Sequence, residues 1–330
     1  MTSKGKDNNI LISGASVAGL TTAWWLARYG FKVTVVERAP HLRPGGQALD
    51  VRGPAVAVAK HMRILTDIRD RSTKLTGVSL MDAEGKEIYR STQRTVTGGR
   101  FDSPDVGILR DALCEVLYDA VGDRVEFLFD DRVTSIIQDE TGVNVAFANA
   151  APRRFALLIG ADGLHSGVRR LVFGPEQQFL RFVGFHIAVF AAPNFLGLDH
   201  WQIFHEHGNL MSGMLAMDKD AKARIYLGFG MAEPLDYDYR DIAAQKRLVT
   251  ERFAGDKGDV LAGISRYEHE LRDYIIRNQD LALDVADTAS QEMSFGQSTD
   301  TDSTTQPDGI PDFGAMIQPI DLKNYREIVQ

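Results

Sequence analysis

The residues best suited to chemistry stand at the start of the chain. In NILISGASVAGLTTAWWLARYGFKVTVVER, residues 9–38, Gly14, Ser16 and Gly19 fall where a G-x-G-x-x-G turn has its three glycines. Such a turn brings backbone close to a pyrophosphate at a helix N-terminus, where free N–H groups and the positive end of the helix dipole favour negative charge. Gly14 permits a tight corner and Gly19 a close helix–sheet approach, while Ser16 puts a small side chain beside the phosphate position. Glu37 lies 23 residues past Gly14, placed to accept hydrogen bonds from a ribose diol. The chemistry is dinucleotide binding. The alternative is a βαβ unit with a purely structural role.

Three other places carry charge next to glycine or at a helix start. In RAPHLRPGGQALDVRG, residues 38–53, Arg38, Arg43, Asp50 and Arg52 surround Gly45-Gly46, either as a ligand-facing loop or as solvated surface. Arg110 stands near the start of the helical pattern ILRDALCEVLYDAV, where a cation opposes the helix dipole and so suggests a job beyond stability. In FALLIGADGLHSGVRR, an apolar strand delivers Asp162 and Gly163 into a turn, with Ser166 as N-cap of a following helix. Asp162 is either a ligand-facing acid at a sheet's carboxyl edge or a capping residue. His205 and His207 share one strand face but lack acid or cysteine partners, so no metal site is expected. Cys114 reads as a small core residue.

These positions need elements to hold them. Hydrophobic spacing predicts strands at 9–13 and 32–36 around a helix at 17–28, and a helix over 54–68 burying Val56, Ala59, Met62 and Leu65. It also predicts a strand pair over 77–90 turning at 83–85, and a helix over 108–121. Strands follow at 125–129, 133–138, 143–147 and 155–159, the last buried on both faces. Residues 179–230 alternate as an antiparallel sheet, with Met211, Met214 and Met217 as core or pocket wall. Helices are expected at 241–254 and about 261–283, then a mobile polar linker over 288–312 and a terminal segment able to dock.

With 330 residues, ordinary apolar and charged fractions and a net charge of −8, the chain is a soluble globular protein of one large or two medium domains without a nucleic-acid footprint. No apolar run is long enough for a membrane span. A single cysteine rules out a disulfide within the chain and points to a reducing, cytoplasmic setting.

In order and spacing, ISGASVAGL…VVER, RPGGQALDVRG, ILRDALCEVLYDA and LLIGADGLHSGVRRLVFG resemble the FAD-dependent aromatic-ring monooxygenases of the para-hydroxybenzoate hydroxylase type, which include tetracycline-inactivating enzymes. The resemblance implies an α/β fold: a Rossmann-like FAD-binding domain with a mainly parallel sheet (1–75 and 100–175), an antiparallel substrate lobe (76–99 and 176–254), and C-terminal helices. Residues 255–287 would return to the FAD domain and 288–330 form a flexible tail. It implies that Gly14, Ser16, Gly19, Glu37 and Arg38 hold the adenosine half of FAD, with Asp50 beside the cofactor and Arg43 near the nicotinamide. Arg110 would steady the flavin, and Asp162 with Gly163 supply the family's DG motif. NADH or NADPH would serve as a transient reductant, and O₂ would supply the oxygen placed on an aromatic or polycyclic small molecule. No side chain is expected to act as an acid–base catalyst. The chain departs from the family at one place. The later G-D-A segment facing the flavin is missing, and the only later Gly-Asp pairs are Gly255-Asp256 and Gly258-Asp259. That leaves a second reading, a remnant that binds FAD weakly or acts as a non-enzymatic binding protein. The oligomeric state and the substrate are not read from the sequence.

Overall fold

A computed structural model describes residues 8–82, 85–95, 100–219, 222–253 and 279–281. The described residues fall into two units, one within Met1–Pro44 and Arg110–Arg181, the other within Gly45–Leu109 and Phe182–Gln330. The first unit opens with β1 (Asn9–Ser13), α1 (Val17–Arg28) and β2 (Lys32–Glu37). The chain then builds β3 (Ala48–Val51), α2 (Pro54–Met62), α3 (Leu65–Asp70), β4 (Gly77–Met81), β5 (Glu87–Ser91) and β6 (Val106–Leu109) in the second unit. It returns for α4 (Arg110–Val121), β7 (Val125–Phe129), β8 (Val133–Asp139), β9 (Gly142–Phe147), β10 (Arg153–Phe155), β11 (Leu157–Gly160) and α5 (Gly167–Phe173). The second unit resumes with β12 (Phe185–Pro193), β13 (Trp201–His207), β14 (Leu210–Ala216), β15 (Lys222–Gly230), α6 (Ile242–Phe253) and β16 (Gln279–Leu281).

In the first unit, β11, β1, β2 and β7 form a parallel sheet in that order. A strand inside such a sheet is covered on both faces, which is why β1 and β2 are apolar without alternation. Leu20, Ala23 and Trp24, spaced to share one side of α1, are all buried. The antiparallel sheet β10-β9-β8 shares a core with the parallel one, in which Leu11 and Val36 meet Val145, Phe147 and Phe155. The apolar run 155–159 is not one buried strand. It divides at Ala156, with Phe155 closing β10 and Leu157 starting β11 at the edge of the parallel sheet, 48% exposed. A strand at an edge has a neighbour on one side only, so its apolar sequence does not guarantee burial.

The second unit is dominated by a seven-stranded sheet, β16-β12-β15-β14-β13-β4-β5, antiparallel except where β13 runs parallel to β4. Period-2 alternation gives it two apolar faces. One gathers Met214, Ile225, Leu227 and Phe229 with Phe253 of α6. The other carries Val189, Leu215 and Tyr226, packed against Ala48, Leu75 and Phe204, with Met211 and Met217 also in contact. β3 and β6 pair antiparallel as a separate ribbon. Gly77 is required by packing, because a Cβ there would lie 2.0 Å from the Trp201 ring.

Two predicted boundaries move. The helix over 54–68 breaks at Arg63, whose φ of 63° is left-handed, and Ile64 N–H turns back to the Ala59 carbonyl at 3.0 Å. That is a helix stop made without glycine. Because Leu65 continues the apolar spacing on the far side, periodicity hides the break. The helix over 108–121 begins only at Arg110, since Ile108 and Leu109 belong to β6. Of the helix expected at 261–283, Gln279–Leu281 are described as a strand paired with β12. The rest of it, the Gly-Asp pairs at 255–259, the polar linker and the terminal segment lie outside the described residues.

Candidate cofactor site and substrate cavity

The glycine corner is built by close contact rather than by loop freedom. Gly14 leaves β1 with φ of 108°, and a Cβ there would lie 2.4 Å from the Ala161 carbonyl oxygen. At Gly19 a Cβ would come within 1.9 Å of the Gly14 oxygen. Gly14 N–H donates to the Val36 carbonyl and Ala161 N–H to the Ser13 carbonyl, each at 2.8 Å. The two glycine-bearing turns singled out in the sequence therefore lie against each other, at the carboxyl ends of the adjacent parallel strands β1 and β11. That edge is where sheets of this kind bind ligands.

Above the corner, α1 begins without charge compensation of its own. Ser16 occupies the N-cap position, but its hydroxyl makes no capping hydrogen bond, and the first turn holds no acid. Ser16 Oγ instead lies 3.6 Å from Cys114 Sγ of α4. Burial pushes the Cys114 thiol above its ordinary range, which keeps it a neutral packing residue. A helix start left this way is suited to a bound anion.

Glu37 closes the turn from the other side. One carboxylate oxygen accepts from Ala15 N–H at 2.8 Å and the other from Ala39 N–H at 3.0 Å. A carboxylate offers about four acceptor positions, so the group that braces the turn keeps capacity for a diol. Arg38, next along, is exposed. Arg110, 7% exposed as the first residue of α4, donates to the Arg43 carbonyl at 3.1 Å. Crowding that strips solvent from the Arg43 guanidinium lowers its proton affinity, and repulsion from Arg110 lowers it further. Arg43 still keeps an open face to solvent. Two cations held this close favour an anion beside them.

Asp162 takes the capping role weighed for it. One oxygen accepts from Ser166 Oγ at 2.6 Å, the other from Val168 N–H at 3.0 Å, while Ser166 Oγ accepts from Arg169 N–H at 2.9 Å as N-cap of α5. Gly163 has φ of 79° in open space, so its glycine serves conformation rather than close approach.

Asp50 belongs to the second unit, in the middle of β3 and opposite Gly107 of β6. It lines a cavity of about 370 Å³ formed wholly within that unit, whose apolar wall includes Leu75, Val189, Phe204 and Tyr226. The Tyr226 hydroxyl accepts from Ala48 N–H at 3.0 Å, and Arg224 Nε donates to the Gly46 carbonyl at 3.1 Å, so β15 fixes the Gly45-Gly46 loop. Burial pushes the Tyr226 phenol up, with partial offset from Ala48 N–H and Arg224, and keeps the hydroxyl protonated. Sequence reading passed over Tyr226 and a second wall residue, Gln202. The available signal was Gln202 itself, a polar side chain at the alternate position to Phe204 within the run Trp201–Phe204.

The first unit thus brings together Gly14, Ser16, Gly19, Glu37, Arg43, Arg110, Asp162 and Gly163, with Arg38 following Glu37 in the chain. Its closed glycine corner, uncompensated helix start and strand-end acid fit the adenosine and pyrophosphate end of FAD. Among the described residues, no group of three or more His, Cys, Asp or Glu side chains is arranged to hold a metal ion. Nor is any described helix long and apolar enough to cross a membrane.

A family model described as FAD binding domain matches residues 7–248. An uncharacterised protein of Mycobacterium tuberculosis is 48% identical over 265 residues, covering 80% of this chain and 71% of the relative. A flavin-dependent monooxygenase of Legionella longbeachae is 34% identical over 248 residues, 75% of this chain and 63% of the relative. Among solved structures, the tetracycline destructase Tet(51) aligns with a TM-score of 0.70 at 32% identity, over 80% of this chain and 67% of that one. The chain spans roughly two thirds of the length of the relatives it matches.

Proposed function

The chain belongs to the family of FAD-dependent aromatic-ring monooxygenases, and from that premise we propose that it binds FAD and oxygenates an aromatic or polycyclic small molecule, using O₂ and either NADH or NADPH, in the cytoplasm. The observation that carries the proposal is the α1 N-terminus above Gly14, Ser16 and Gly19, which lacks a side-chain cap and a first-turn acid. An anion completes it.

In this reading Glu37 accepts the ribose hydroxyls while bracing the Ala15 and Ala39 amides, and the N–H groups of α1 take the pyrophosphate. Arg38 flanks the adenosine end. Arg110 holds the Arg43 backbone and offers its charge to the flavin, while Arg43 serves the nicotinamide cofactor on its solvent-facing side. Asp162 acts as a positioning residue: by anchoring α5 it fixes the turn whose Ala161 carbonyl abuts Gly14. Asp50 is assigned to the cofactor, and within the second unit the apolar face of the large sheet would keep water from the ring being oxidised. Bound FAD supplies the redox chemistry and the activation of O₂; the side chains bind, orient and keep the cavity dry.

The test is turnover by the full chain loaded with FAD. Phenols and fused-ring phenols should stimulate NADH or NADPH consumption about tenfold or more, with a product heavier by one oxygen atom. A flavin-loaded chain that no such compound stimulates would be a binding protein and would sink the enzyme reading.

A further inference from the structure

We infer that Gln202 reads a hydrogen-bonding edge of the substrate, and that the second-unit cavity takes a planar ring with an N–H next to a carbonyl, the cyclic-amide pattern of a lactam. The inference rests on reading this cavity as the substrate pocket.

Gln202 sits on β13, in register with Leu215 of β14 on one side and Val78 of β4 on the other. On its sheet face Leu215, Phe204 and Tyr226 surround the same cavity, with Arg224 in register beyond Leu215. The residue is only 3% exposed and lines the cavity wall. Among the described residues no protein group hydrogen-bonds its carboxamide. Its polar atoms are not among the buried, unpartnered ones, so the carboxamide opens onto the cavity, where a leucine would fill the same space with no polar edge to offer. Keeping a carboxamide here has a physical rationale if its partner comes from the cavity.

The chemistry of the partner follows from the side chain. A carboxamide presents an acceptor oxygen beside a donor NH₂. Its two-point complement is a donor beside an acceptor, held coplanar, as in a cis-amide within a ring. The apolar side of the wall favours flatness: the Phe204 and Tyr226 rings lie 5.8 Å apart at 51°, with Ile187, Val189 and Leu215 beside them, while Asp50, Arg69, Lys74, Arg100 and Asp105 line the polar remainder. A volume of about 370 Å³ is at the small end of ligand pockets and suits a fused bicyclic ring.

The experiment is a calorimetric titration of the full chain with 2-quinolinone, which has the N–H and carbonyl side by side, and with 2-methoxyquinoline, which keeps the rings but has neither. The wild-type chain should prefer 2-quinolinone by about 10- to 100-fold. Gln202→Leu should erase the preference, leaving affinity for 2-methoxyquinoline unchanged or improved. Gln202→Glu, which loses the amide donor, should also bind 2-quinolinone weakly. Equal affinity of the wild type for both probes, binding of neither, or a preference that survives Gln202→Leu would overturn the inference. The wild-type comparison stands even where a variant fails to fold, which circular dichroism would reveal. The readout needs no flavin, so the two ideas fail separately: probe preference without turnover sinks the monooxygenase reading, and turnover without probe preference sinks this one.

Discussion

At Gly14 and Gly19 the decisive quantity is space. A methyl group at either position would meet backbone oxygen at 2.4 or 1.9 Å, and backbone cannot yield as a flexible side chain can. Gly14→Ala and Gly19→Ala should each destabilise the chain by about 1–3 kcal/mol or more, read as a lower urea midpoint, and should lose FAD affinity together with stability. Ser16 behaves differently because its hydroxyl caps nothing. Ser16→Gly should cost only about a few tenths of a kcal/mol, while clearing room beside the phosphate. A loss as large as that of Gly19→Ala would show that the Cys114 contact matters more than its 3.6 Å length suggests. Tyr226→Phe strands the part-buried Ala48 N–H, with an expected loss of about 1 kcal/mol in thermal or urea unfolding. The glycines were legible from the sequence because their spacing is local. Tyr226 was not, because its partner stands 178 residues away and nothing in ARIYLGFG distinguishes it from a packing ring.

The elements with the best local signals were the ones the sequence located most closely. β1, α1 and the α5 N-cap needed only adjacent residues to specify them, whereas β11 depended on which strand lay beside it. The cap of α5 gives a direct check: Ser166→Ala should cost about 1 kcal/mol, and Asp162→Ala more than that, since it removes acceptors from both Ser166 Oγ and Val168 N–H. On β12, His186 lies between Phe182 and Phe229, 4.9 and 5.4 Å away. Burial holds its pKa below the ordinary histidine value, and Arg252 pushes it the same way. The unfolded chain therefore takes up this proton first as pH falls from about 6.5. The stability that neutral His186 contributes is present above that pH and lost as pH falls towards the lower folded value. His186→Phe should flatten the dependence of the urea midpoint on pH across that window. An unchanged slope would assign the effect to another group.

For the molecule as a whole, the sequence announced an α/β unit with a parallel sheet and an antiparallel sheet, and both are present. The resemblance implied a chain that passes between units more than once, but not a first crossing as early as Pro44. The crossing after Pro44 falls in the glycine pair Gly45-Gly46, which read as a ligand-facing loop or solvated surface, and those after Leu109 and Arg181 carry no distinctive composition. Nor did the sequence reveal the cavity, because its walls come from the β3-β6 ribbon and from β12, β13, β14 and β15 of the large sheet, which meet only in the folded unit. The family membership and the geometry of the α1 corner converge on one cofactor, so the central claim reduces to whether this chain takes up FAD at that corner. Equilibrium titration of the purified full chain with FAD, followed by quenching of flavin fluorescence, tests it most directly. The account predicts saturable one-to-one binding, competed by ADP and weakened at least tenfold in a folded Glu37→Ala variant. A chain that leaves FAD fluorescence unchanged, or binds it equally well without Glu37, would contradict it.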